Sequence, residues 1–112
     1  YRGMMLSGVP NLAMSFGYTN SSWTLKTSLT ADYVCGLLQK MERGGYRNVT
    51  PTLRDEMNEA PLLDFDAGYV LRARKIMPKS GDRQPWKNSD RYTEDLVNLK
   101  LKSSKYSELE FH

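Results

Sequence analysis

Residues 23–41 carry more apolar surface than an ordinary surface helix needs. On a wheel advancing about 100° per residue, Trp23, Leu25, Leu29, Tyr33, Val34, Leu37, Leu38 and Met41 fill an arc of roughly 220°, against the roughly 100° stripe of a helix resting on one core. Such a helix asks for neighbours around most of its girth. A chain of 112 residues, 39% of them hydrophobic, struggles to supply them. The spacing predicts a helix that starts just after Asn20, Ser21 and Ser22, small polar residues suited to capping, and stops before Gly44-Gly45. Lys26 is discordant. It lies mid-arc in the first turn, where a cation works against the helix dipole, so it needs a partner or a task. The commoner outcome for such a lysine is a stem lying along apolar surface with its ammonium in water.

Before the helix the period is two. Leu12, Met14 and Phe16 alternate with Ala13, Ser15 and Gly17, which predicts a strand with one bulky face and one nearly bare face. A helix or a ligand can approach that bare backbone closely. Upstream, Ser7-Gly8-Val9-Pro10 reads as a turn. After the helix, residues 43–66 are punctuated by Gly44, Gly45, Pro51 and Pro61 and read as a long connection. Residues 67–77 place Tyr69, Val70, Ala73, Ile76 and Met77 at helical spacing, with Asp66 as a cap and Pro78 as the stop. Trp86 is the one large burial candidate in the loop that follows. From about Ser89 to Leu101, Tyr92, Leu96 and Leu99 suit a helix, while Val97, Leu99 and Leu101 suit a strand equally well. The fold class expected is an α/β fragment: short strands leading into one long helix over residues 1–42, then a loop-rich tail with one or two short helices over 43–112.

Several functions are set aside by composition. Cys35 is alone, so there is no internal disulfide and no multi-cysteine zinc site, and the only histidine, His112, closes the sequence. No apolar run approaches the ~18 residues of a membrane-spanning helix. The net charge of +3 invites a nucleic-acid reading, but residues 41–112 mix 13 basic with 12 acidic side chains. A phosphate-binding stripe wants few carboxylates, so no nucleic acid is expected. The default location is cytoplasmic.

The corner "GYTNSSW", residues 17–23, is the place where chemistry is expected. The first N–H groups of a helix lack partners and the macrodipole adds about half a positive charge there, so strand, polar corner and helix together favour negative charge. The plainer reading is that Asn20, Ser21 or Ser22 caps those N–H groups and nothing else binds.

The run "YRGMMLSGVPNLAMSFGYTNSSWTLKTSLTADYVCGLLQKM" resembles the C-terminal part of the FAD domain in flavin-containing monooxygenases of the Baeyer–Villiger type. "GYVLRARKIMPKSGDRQPW" and "RYTEDLVNLKLK" are similar to the tail of a bacterial, ethionamide-activating subgroup. The most specific elements are Gly8-Val9-Pro10-Asn11, Gly17-Tyr18-Thr19-Asn20 and Ser22-Trp23-Thr24-Leu25-Lys26. The resemblance implies class B flavoprotein chemistry, in which NADPH reduces FAD and O2 forms a C4a-peroxyflavin that oxygenates a ketone, sulfide or thioamide. It also implies that Gly17, Tyr18, Thr19, Asn20, Ser21, Ser22 and Trp23 face the flavin's N1–C2=O edge. No two glycines are separated by one residue, so neither G-x-G-x-x-G fingerprint is present, and the family's histidine motif is missing too. The chain is therefore expected to be a fragment, inactive alone, of an enzyme whose partners are a small-molecule substrate and O2. The rival expectation is a small interaction module that docks through an exposed apolar helix.

Overall fold

The computed structural model describes residues 1–18, 22–62, 68–73, 75–101 and 105–112. It is a small mixed structure of helices and short strands, built around α1, Trp23–Gly44. Both ends of α1 are closed by local chemistry. The Ser22 hydroxyl accepts the Thr24 N–H at 3.3 Å. At the other end Gly45 takes a left-handed conformation with φ 68°, donating to the Glu42 carbonyl while Tyr46 donates to the Met41 carbonyl. Those two bonds are the Schellman arrangement, which glycine adopts without a Cβ penalty. Arg43 in the last turn complements the dipole. The helix therefore ends one residue later than the glycine pair suggests.

Half of the apolar arc is covered. Leu29, Tyr33, Leu37 and Met41, one turn apart, are buried with Met4, Met5, Val49, Trp86, Leu99 and Leu109. The other half is open: Trp23 is 60% exposed and Leu38 57%, with Leu25 also exposed. Among the described residues, cover is confined to one side of α1.

Two small antiparallel pairs organise the tail. β1, Val49–Pro51, pairs with β4, Leu109–Phe111, in the register Val49 to Phe111 and Pro51 to Leu109. Between them, β2, Ala60–Pro61, pairs with β3, Lys79–Ser80. Trp86 is buried as expected, edge-on to the Tyr1 ring at 5.3 Å, with its indole N–H donating to Glu108. The open choice at 89–101 resolves as helical: α3, Tyr92–Leu96, runs into a π-helical turn, Val97–Leu101. Leu99 is buried and Val97 and Leu101 are exposed, so the i, i+4, i+7 face is the one that packs.

Two expectations need correction. Residues 12–17 run without a strand ladder. Alternation marks two faces but supplies no neighbour, and a strand exists only where another backbone pairs with it. Here Asn11 N–H reaches the Val49 carbonyl and Met14 N–H the Met4 carbonyl, and no ladder follows from them. The second helix, α2, is shorter than its periodicity, spanning Gly68–Ala73 rather than 67–77. Residues 75–77 form a turn, with Ile76 and Met77 N–H groups both donating to the Ala73 carbonyl. Ile76 is 87% exposed, so the apolar spacing there had nothing to pack on. The proposed cap Asp66 lies outside the described residues.

Candidate functional site

The described flanks of the corner, Gly17, Tyr18, Ser22 and Trp23, are set by what packs against them. On the bare face of the preceding segment, the approaching element is α1 itself. The Ser15 and Thr27 hydroxyls meet at 3.1 Å, and the Trp23 indole lies against Gly17, where a Cβ would strike the ring. The close approach expected at Gly17 is thus made by Trp23. The outer side of that indole remains exposed. Ser22 is exposed and acts as the N-cap. Thr19, Asn20 and Ser21, three of the seven corner positions, lie outside the described residues.

Behind the corner lies a buried ionic cluster. Lys26 is 2% exposed, and its ammonium meets the Asp95 carboxylate at 2.6 Å. The same oxygen, Oδ2, accepts the Tyr18 hydroxyl at 2.6 Å. The Lys26 ammonium also stands 5.5 Å from the centre of the Tyr18 ring. Lys26 therefore does not snorkel: it turns inward to a carboxylate supplied by α3. Burial, and then the hydrogen bond to Asp95, push the Tyr18 phenol well above its ordinary value of 10.0. The proton stays on tyrosine, which donates. Asp95 lies in the acidic first turn of α3, where the helix dipole favours its charge.

Asp95 was not singled out from the sequence, although a signal for it existed. It sits three residues after Tyr92 and four before Leu99, on the apolar face of its own helix. Lys26 shows the same discord on α1. Two opposite charges, each centred in an apolar face, are candidates for one buried pair.

No acidic residue occupies the first turn of α1, so the positive end of a 22-residue helix is left without a carboxylate of its own. The described corner thus combines an exposed helix start, a hydroxyl and a flat aromatic surface. These residues fit a planar group with a negative edge. They do not fit a metal, and among the described residues no three His, Cys, Asp or Glu side chains converge.

Known proteins similar to this chain share one description. An "FAD-containing monooxygenase EthA" from Mycolicibacterium smegmatis is 46% identical over 97 residues, covering 86% of this chain and 20% of that protein. The protein of the same name from Mycobacterium tuberculosis is 44% identical over the same share. A "Probable FAD-binding monooxygenase AlmA" from an Acinetobacter species is 41% identical across 100% of this chain and 23% of its own length. The chain is similar to one part of the FAD-containing monooxygenases. The chain spans about a fifth of the length of those relatives. No family model and no solved structure matches it. Among its described residues no helix is long and apolar enough to cross a membrane.

Proposed function

We propose that this segment belongs to an FAD- and NADPH-dependent monooxygenase of the Baeyer–Villiger type, and that its corner from Gly17 to Trp23 holds the flavin's N1–C2=O edge. On this reading residues 1–42 complete a Rossmann-like FAD domain and residues 43–112 form its tail. When bound, FAD reduced by NADPH supplies the activation of O2 for transfer of one oxygen atom to a ketone, sulfide or thioamide. The enzyme works in the cytoplasm, where NADPH is at hand.

The observation that carries the reading is the start of α1. Its first turn has no acid, its cap is an exposed serine, and an exposed indole stands beside it. The dipole at the start of α1 stabilises negative charge on a bound ring edge, an effect that needs no movement of the protein. Ser22 offers a hydroxyl at that edge, and Trp23 offers a flat face that excludes water. Thr19, Asn20 and Ser21 complete the polar rim in this proposal. Tyr18 contributes its main chain, since its hydroxyl is committed to Asp95. The open half of α1, with Leu25 and Leu38, would also suit a free interaction module. The relatives' roughly fivefold greater length gives that face another cover, namely the rest of the enzyme.

The test is made in the full-length enzyme with Ser22→Ala, Asn20→Ala and Trp23→Ala. The FAD-to-protein ratio and the rate of NADPH oxidation are measured beside the melting temperature. Loss of flavin or turnover at near-normal melting temperature supports the reading. If all three variants keep full flavin and full turnover, the corner is only a helix cap.

A further inference from the structure

Tyr18 lies where the chain enters the corner, and Lys26 lies in the first turn of the helix that leaves it. Both side chains end on the same atom, Asp95 Oδ2, at 2.6 Å each. All three are buried: Tyr18 is 3% exposed, Lys26 2% and Asp95 5%. Tyr18 and Lys26 are therefore joined through a single carboxylate delivered from α3, 69 residues beyond Lys26. Gly3 backs the cluster: its Cβ would strike the Asn88 side chain and stand 3.7 Å from the Lys26 ammonium.

We propose that Asp95 is a positioning residue that clamps the corner from the tail and balances the charge of Lys26 beside it. The proposal rests on the flavin reading of that corner. A buried ion pair is seldom retained for stability alone, because apolar residues of similar volume commonly replace it without loss. What apolar residues cannot do is fix both flanks of a loop on one point. Charge-assisted hydrogen bonds to a shared oxygen do that, and their geometry is narrow. The carboxylate also keeps the cluster from presenting an uncompensated cation near the start of α1. The tail then has a task in the flavin domain through Asp95.

The experiment uses the full-length holoenzyme with Asp95→Asn, Lys26→Met and the double variant Lys26→Met/Asp95→Leu. Flavin reduction potential, FAD dissociation and melting temperature are measured for each. Asp95→Asn leaves Lys26 unbalanced, so the potential rises, and FAD dissociates about tenfold faster, the loss expected of one charge-assisted hydrogen bond. Lys26→Met leaves a carboxylate unbalanced, and the potential falls. The double variant returns the melting temperature and the potential towards native values, while FAD retention stays weakened because the clamp is gone. Tyr18→Phe, which removes one strap without exposing a charge, weakens retention by a smaller factor and keeps the clamp testable should a single charge variant fail to fold. In the apo-enzyme the amide hydrogens at the start of α1 exchange faster in Asp95→Asn than in the native protein. Recovery of FAD retention together with melting temperature in the double variant overturns the proposal, since the pair is then structural only. So do potentials that move the same way, or not at all, in the two single variants. If Trp23→Ala loses flavin while Asp95→Asn does not, the clamp falls and the flavin corner stands. If neither loses flavin, both fall.

Discussion

The two ends of α1 are closed by different means. At its C-terminus the closure is local: Gly45 turns left-handed and two neighbouring N–H groups satisfy the last carbonyls. At its N-terminus a local cap, Ser22, satisfies one N–H, but the placement of the corner depends on Asp95 from a distant helix. A glycine pair can be read as a stop wherever it follows a helical pattern. A carboxylate far along the chain cannot be assigned to a lysine until the fold brings them together. The difference teaches that an end with only structural duties can be written into adjacent residues, whereas an end proposed to hold a cofactor is positioned from elsewhere.

Four measurements in the full-length enzyme break or sharpen that contrast. The largest effect is expected from Lys26→Met alone, which strands a buried carboxylate and costs about 3–5 kcal/mol in denaturant unfolding. A loss below about 1 kcal/mol would place the N-terminal end under local control after all. Next comes Gly45→Ala, where a side chain forced into the left-handed region costs about 1–2 kcal/mol. No atom stands within 4 Å of the added Cβ, so the cost is purely conformational, and FAD retention should not change. Ser22→Ala removes one capping bond and costs about 1 kcal/mol, with a larger effect on flavin than on melting. The smallest effect appears only in alkali. The folded state holds the Tyr18 phenol above its ordinary 10.0, so it favours the protonated form. That preference is fully present below pH 10 and is lost as the unfolded phenol ionises, so stability falls as pH rises beyond 10. Tyr18→Phe should flatten that slope, and an unchanged slope would mean that the phenol is not buried against Asp95.

Much of α1 was legible in the sequence because its signals are local and redundant. Ser22, the repeat Leu29–Tyr33–Leu37–Met41 and the glycine pair each point to the same helix. Trp86 was legible as a lone large apolar residue in a polar loop. The strand expected at 12–17 failed because Leu12, Met14 and Phe16 report faces, while a strand needs a neighbouring backbone. The β1–β4 pair escaped notice for the converse reason: three residues each, Val49–Pro51 and Leu109–Phe111, carry almost no period. α2 stopped early because Ile76 found nothing to cover it. At the candidate site, the Ser22 cap and the anomaly of Lys26 were readable. Asp95 was not, since charge on an apolar face says that a partner exists without saying where.

The pairing of β4 with β1 makes everything from residue 52 to residue 108 a single circuit, tied at its base beside the C-terminal end of α1. The entropy of closing such a circuit grows only logarithmically, by about 0.6 kcal/mol for each doubling of its length. Exposed stretches of it, such as residues 53–56, can therefore accept inserted or deleted residues at little thermodynamic cost. Asp95 travels within the same circuit, but α3 and its π-helical extension pack directly on α1, so its delivery does not depend on how long the exposed stretches are. Evolution is thus free to redesign the outside of the tail while the buried carboxylate of Asp95 keeps its address.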